Sequence, residues 1–176
     1  MKTELWQSIG FQSKNPRTDF RAGGILSLLV LTYFCRTEKS LFDEMRQRSD
    51  WFLAISSVNI SSTLLTYLYL STEPVAFSHM KLKAGRVHIK NFARLNAKDK
   101  KTLFELHNLI FRSLFANWKR SVASVGDSRL PPNFNTVIGD TFKRFDNLLG
   151  ARHYWNLEEL RAAFNRDLED MARNQT

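Results

Sequence analysis

The chain has 176 residues, 43% of them hydrophobic, with 14 Phe, 4 Trp and 4 Tyr, enough for one domain with a buried core and too apolar for a disordered chain. A net charge of +9 and a pI near 9.9 suit an anionic partner: nucleic acid, acidic lipid or an acidic protein face. The single cysteine, Cys35, excludes an internal disulfide framework, and its apolar surroundings make it a small buried hydrophobe.

Residues 1–22 are polar and mixed, with no signal-peptide pattern. Apolar spacing predicts helices over Gly24–Arg36 and Lys39–Arg48, with Asp50 placed to cap a third. That third segment, Trp51 to Leu70, carries no charge over 20 residues, long enough to span a bilayer. Ser56, Ser57, Asn59, Ser61, Ser62, Thr63 and Thr66 load it with polar groups, so a helix buried in protein, its hydroxyls bonding back to the preceding turn, suits it better. Glu73-Pro74 is expected to stop it. From Val75 to Leu95 the periodicity is lost. Val87-His-Ile-Lys has the makings of a short strand, but the region reads best as one long basic loop.

Lys81, Lys83, Arg86, Lys90 and Arg94 fall in that loop, with Lys98, Lys100 and Lys101 just beyond. Together they form a basic patch, serving either as a solvated surface or as a contact for an anionic partner. Asn96 is positioned to cap a helix from about Ala97 to Val122, striped by Leu103, Leu106, Ile110, Leu114 and Phe115, with Phe111 and Trp118 beside them. A turn over Gly126–Pro132 leads to two more helices, about Phe134–Leu149 and Asn156–Ala172. The expected architecture is a single all-α domain of several helices with one long basic loop.

Self-contained catalytic machinery is missing. There is no P-loop for a nucleotide, and His79, His88, His107 and His153 lack metal-binding spacing, so no metal is expected. No nucleophile elbow occurs, and the acidic pairs Glu158-Glu159 and Glu169-Asp170 suit a solvated helix face. Aromatics fall at core spacing and are not interleaved with cations, which argues against nucleic acid.

One arginine is poorly placed for stability. Arg21 stands at the N-terminal end of the Gly24 helix, where the macrodipole already supplies partial positive charge. Thr18 or Asp19 is suited to cap that helix, and Gly23 and Gly24 clear the face beside it. Such an arrangement is good for meeting a phosphate, although Arg21 could equally pair with Asp19 or a remote carboxylate.

Reading outward gives Trp6-x-x-x-Gly10-Phe11-Gln12-x-x-x-Pro16-x-Thr18-Asp19-Phe20-Arg21-x-x-Gly24, followed by Leu26, Leu28, Leu31, Tyr33 and Phe34. This resembles the signature of the ELMO domain, in the branch of ELMO-domain-containing proteins that act as GTPase-activating proteins for Arf-family and Arf-like (Arl) GTPases. Trp51-Phe-Leu-Ala-Ile-Ser-Ser-Val-Asn-Ile-Ser61 is similar to a second family motif, and the Leu103–Trp118 helix to a later one. The resemblance implies that Arg21 is a catalytic arginine inserted in trans into the site of an Arf or Arl GTPase. There it would neutralise charge building on the transferring phosphate, an effect of roughly 10³–10⁵ in rate, or about 4–7 kcal/mol. The GTPase would hold GTP, Mg²⁺ and the water-orienting glutamine, so no cofactor of the chain's own is implied. Asp19 would orient Arg21 or cap the helix, and Trp6, Phe11 and Phe20 would anchor the segment. Gln12 would bond the backbone or face the partner, and Pro16, Thr18, Gly23 and Gly24 complete the motif. Arg17 falls at a variable position and is expected to be dispensable for chemistry.

Ala22 and Ser27 depart from the family's usual glycines, and the signature begins almost at Met1, without the helices that usually precede it. The chain is therefore expected to be a short member or a domain fragment. These departures support an alternative reading, a non-catalytic helical adaptor that binds a small GTPase or another protein. The location implied is cytoplasmic, with peripheral contact to acidic organelle or ciliary membranes through the basic patch.

Overall fold

The computed structural model describes residues 4–20, 23–72, 82–125 and 132–173, the side chain of Thr18 excepted. The described residues are helical, with no strand among them. They belong to two compact units, residues 1–79 and 80–176.

The first unit contains α1 (Glu4–Ser8), a 3-10 turn at Pro16–Thr18, α2 (Gly24–Thr37), α3 (Lys39–Gln47) and α4 (Leu53–Tyr67). Helix α2 packs on α4 and α3. Phe34, Val30 and Leu31 of α2 and Leu53, Ala54, Ile60 and Leu64 of α4 are buried. Helix α4 is buried on nearly every side, so its apolarity reflects a protein environment. It is shorter than its uncharged run, and among the described residues no helix is long and apolar enough to cross a membrane. The expected back-bonding is found at Ser61, whose Oγ donates to the Val58 carbonyl at 2.9 Å. It does not extend to Ser56, Thr63 and Thr66, whose buried hydroxyls have no partner.

Two helix ends differ from expectation. The N-cap position of α4 is taken by Phe52, with no side-chain cap bond, and the Asp50 carboxylate is held bidentately by Arg48 at 2.8 and 2.7 Å. The Ile9 carbonyl serves this helix end instead, accepting from the Ala54 amide at 3.1 Å. At the other end α4 stops before Glu73-Pro74 is reached. Tyr69 adopts φ 59°, and Leu70 N–H closes the turn onto the Leu65 carbonyl at 2.8 Å.

The second unit contains α5 (Arg86–Lys98), α6 (Thr102–Val125), α7 (Phe134–Gly150) and α8 (Leu157–Arg173). Helix α6 is its centre, packing on α7, α8 and α5. Ile110, Phe111, Leu114 and Phe115 meet Ile138, Phe142 and Phe145 of α7 and Leu160 and Phe164 of α8 in one core. Phe145 stacks at 6.0 Å between Phe142 and Phe164. Arg144 grips Asp167 at 2.7 Å across α7 and α8, and Arg161 of α8 meets Glu105 of α6 at 2.8 Å.

The long basic loop is corrected by α5. Residues 86–98 are helical, the strand reading of Val87–Lys90 fails, and Asn96 lies inside α5 and caps nothing. The inward side of α5 is fixed by hydrogen bonds as much as by apolar contact. Asn91 is fully buried, its Nδ2 donating to the carbonyls of Leu149 and Arg152 at 2.7 and 2.8 Å. Its Oδ1 accepts from Tyr154 N–H at 3.3 Å. His88 accepts the Gly85 amide through Nδ1 and faces the Asp146 carbonyl through Nε2 at 3.0 Å.

Candidate functional site

Most of the candidate residues lie together between α1 and the start of α2. Arg21 and Ala22 lie outside the described residues, and the site is defined by what flanks them. On the N-terminal side an aromatic ladder is fixed: Trp6 packs edge-on to Phe11 at 5.4 Å, and Phe11 on Phe20 at 5.3 Å. Phe11 is buried, while Trp6 and Phe20 are half-buried. The ladder holds Phe20, the residue directly before Arg21.

Gly10 explains how this ladder is seated. Its φ of +90° is a conformation that favours glycine, and a Cβ there would lie 2.7 Å from the Leu53 nitrogen. The absence of a side chain lets the turn after α1 lie against the first turn of α4, where Ile9 satisfies Ala54. The two stretches quoted from the sequence, 6–24 and 51–61, thus meet at Gly10.

Asp19 does not cap α2, and its expected role toward Arg21 falls outside the described residues. Its Oδ2 accepts from the Gln12 N–H at 3.1 Å, closing the loop that brings residue 12 back to residue 19. Helix α2 has no side-chain N-cap; Gly23 occupies the cap position. The Gln12 side chain is exposed, and its backbone makes the bond to Asp19. Pro16 is buried and opens the 3-10 turn, whose cap is Asn15, with Oδ1 accepting from Arg17 N–H at 3.3 Å. Thr18 ends the same turn.

The two glycines after Arg21 have separate reasons. Gly23 does not open a face to an outside surface: a Cβ there would overlap Ser27 Oγ and approach Ser61 Oγ at 3.3 Å. Its space is used from within by the Ser27–Ser61 pair, 2.7 Å apart across α2 and α4. Gly24 has φ +51°, and a Cβ there would meet nothing within 4 Å. Its conformation calls for glycine, and it also leaves the surface open. The Gly24 amide donates to the Phe20 carbonyl at 2.6 Å, so the residues bracketing Arg21 and Ala22 are tied to each other.

Beside this bracket lies a groove of about 490 Å³ lined by Trp6, Asn15, Pro16, Arg17, Phe20, Gly24, Ile25 and Leu28. Ile25 is 70% exposed, Leu29 one turn on is also exposed, and Trp6 Nε1 is buried without a hydrogen-bond partner. An apolar groove of this kind can receive a side chain of a protein loop. Asn15 and Ile25 were not singled out in the sequence. Asn15 carried a detectable signal as an Asx cap immediately before a proline.

The basic patch divides. Lys81 lies outside the described residues, and Lys83 precedes α5. Arg86, Lys90, Arg94 and Lys98 recur every fourth residue along α5, and Lys100 and Lys101 sit exposed in the α5–α6 turn. The structure adds Trp155, 61% exposed, whose ring faces the Arg94 guanidinium at 5.1 Å and the Lys98 ammonium at 5.7 Å. Among the described residues no cluster of His, Cys, Asp and Glu is placed to hold a metal ion.

Comparison with known proteins bears on the first unit and beyond. A family model, described as the ELMO/CED-12 family, matches residues 1–130. ELMO domain-containing protein 2 of Mus musculus is 33% identical over 95 residues, 51% of this chain and 28% of the mouse protein. The Homo sapiens protein of the same name is 34% identical over 95 residues, 51% of this chain and 32% of its own length. ELMO domain-containing protein C of Dictyostelium discoideum is 26% identical over 118 residues, 66% of this chain and 19% of that protein. The match thus spans about a third or less of the length of these relatives. No solved structure matches the chain.

Proposed function

The chain belongs to the ELMO/CED-12 family, and from that premise we propose that it is a GTPase-activating protein for an Arf-family or Arf-like small GTPase. Arg21 is the residue it inserts. The observation that carries the reading is the signature that retains Arg21, with its flanks pinned by the Phe20–Phe11 contact and the Gly24–Phe20 hydrogen bond. A short segment tied at both ends loses less entropy on docking than a free loop. The guanidinium then stabilises the charge on the transferring phosphate, while GTP and Mg²⁺ stay with the GTPase. The groove beside it takes an apolar side chain of the GTPase and sets the register. Such a protein would act in membrane trafficking, in the cytoplasm and at organelle or ciliary membranes.

A second reading is favoured by Gly23. Its missing side chain is used inside the fold, so that part of the signature has a purpose without catalysis. In this reading the chain is an adaptor whose groove binds a GTPase and leaves its chemistry alone.

The test is GTP hydrolysis by a panel of GTP-loaded Arf and Arl proteins with the wild-type chain, Arg21→Ala, Arg21→Lys and Arg17→Ala. Stimulation should fall on the order of 10³-fold or more in Arg21→Ala. Lysine keeps the charge but not the planar fork, so it should rescue little, and Arg17→Ala should remain active. Binding of the wild-type chain to a GTPase whose hydrolysis it leaves unchanged would overturn the activator reading in favour of the adaptor.

A further inference from the structure

We propose that the outer face of α5, together with Trp155, is a docking surface for an anionic membrane. Arg86, Lys90, Arg94 and Lys98 form a row about 18 Å long on a helix that contains no acidic residue. Arg86, Lys90 and Lys98 are exposed, and so are Val87, Ala93 and Ala97 between them. At the C-terminal end of the row stands Trp155, contributed by the α7–α8 connection and held by Arg94 and Lys98 at 5.1 and 5.7 Å. Lys98 Nζ also donates to the Trp155 carbonyl at 2.9 Å. The fold has therefore placed a large exposed aromatic at the end of a cationic row, although nearly 60 residues separate them in sequence.

The carboxylates that touch this region are already engaged. Asp146 faces His88 at 3.3 Å, Asp99 accepts from Lys101 N–H at 2.8 Å, and Glu159 accepts from Trp155 N–H at 3.1 Å. Glu158 is exposed on the flank. The face keeps a cationic excess, because the row together with the exposed Lys100 and Lys101 outnumbers these carboxylates.

Three features favour a lipid surface over nucleic acid. The face carries one aromatic, where a strand-binding platform uses several in succession. The Trp155 ring is already held by two cations of the same protein. Small and aliphatic side chains, Val87, Ala93 and Ala97, alternate with the cations, which suits the boundary between headgroups and acyl chains. Trp is the side chain most at home at that depth, with Lys and Arg reaching up to lipid phosphates. This inference is independent of the GTPase reading and stands or falls without it.

The experiment is flotation of the full chain with vesicles of phosphatidylcholine alone and of phosphatidylcholine and phosphatidylserine in equal parts. Binding is expected only to the mixed vesicles and should weaken as salt is raised. The double variant Arg86→Gln, Lys90→Gln should bind roughly 25-fold more weakly, about fivefold per cation. Trp155→Ala should also weaken binding while keeping its salt dependence. A double variant elsewhere in the second unit, Lys143→Gln with Arg166→Gln, removes the same charge from other exposed positions and should bind as the wild type does. Equal binding to neutral vesicles, no binding to either, or equal loss in the control would overturn the proposal. So would absent vesicle binding accompanied by α5-dependent capture of oligothymidylate or polyglutamate, which would assign the face to nucleic acid or to an acidic protein.

Discussion

The hydroxyls of Ser27 and Ser61 lie 2.7 Å apart, joining the first turn of α2 to the middle of α4. Ser61 spends its one proton on the Val58 carbonyl, so Ser27 must donate and Ser61 accept. The bond is thus directional, and the two residues should respond unequally to removal. Ser27→Ala leaves an acceptor short of one partner and should cost about 1 kcal/mol. Ser61→Ala strands a buried donor and should cost about 2 kcal/mol or more. In a double-mutant cycle by denaturant unfolding, the double variant should lose less than the sum. Equal single losses would show that the donor assignment is wrong.

Gly10 should tolerate no side chain. Gly10→Ala combines a left-handed conformation with a close approach to the Leu53 nitrogen and should destabilise by about 2–4 kcal/mol. If Gly10 served only the loop, the loss would be local. Because Ile9 satisfies the Ala54 amide, the helical signal of α4's first turn should weaken too, which amide exchange would reveal.

Tyr69 carries the opposite expectation. An aromatic residue at φ 59° closes α4 where glycine or asparagine is the usual choice. Tyr69→Gly should raise stability by about 0.5–1 kcal/mol, read as a higher denaturation midpoint with unchanged slope. A loss of stability would mean that contacts of the Tyr69 ring outweigh the backbone strain.

Tyr154 links stability to alkaline pH. Burial pushes its phenol above the ordinary 10.0, with Arg152 opposing. A group whose folded-state pKa is raised contributes stability that is whole below the unfolded value and is lost as pH rises through the folded one. Stability of the second unit should therefore hold up to about pH 10 and then fall. In Tyr154→Phe the fall should be shallower, and the baseline stability should drop by about 1 kcal/mol for the lost bond to the Leu148 carbonyl.

The groove makes a kinetic prediction within the activator reading. Ile25→Ser removes exposed apolar surface from the groove without touching the core. KM for the GTPase should rise on the order of tenfold, while kcat changes little. A fall in kcat with KM unchanged would place Ile25 in the arrangement of Arg21 and not in docking.

Where apolar side chains do the packing, the elements were legible in the sequence. Helices α2, α3, α7 and α8 begin and end within a residue of where their spacing predicts. Helix α5 was invisible for a physical reason: its inward positions include His88 and Asn91, which are secured by hydrogen bonds to carbonyls of α7 and its exit. A pattern sought in Leu, Ile and Phe does not register an asparagine that satisfies three backbone groups. The cap of α4 was misplaced for a related reason. An acidic residue before a helix is a local signal, whereas the Ile9 carbonyl arrives from more than 40 residues upstream. The candidate site was legible as a list of motif residues, but not in its division of labour. Asp19 ties the loop to Gln12, Gly23 makes room for Ser27, and Gly10 seats the whole turn on α4.

The bond from Ala54 to Ile9 has a practical consequence. The Ala54 amide belongs to a buried helix, yet its protection depends on a carbonyl supplied by the loop that leads to the arginine segment. Lifting that loop by a few ångströms would expose this one proton to solvent while the rest of α4 stayed closed. Its exchange rate is therefore a gauge, readable in the free protein and again with a partner bound, of how often the loop that follows α1 comes off its seat.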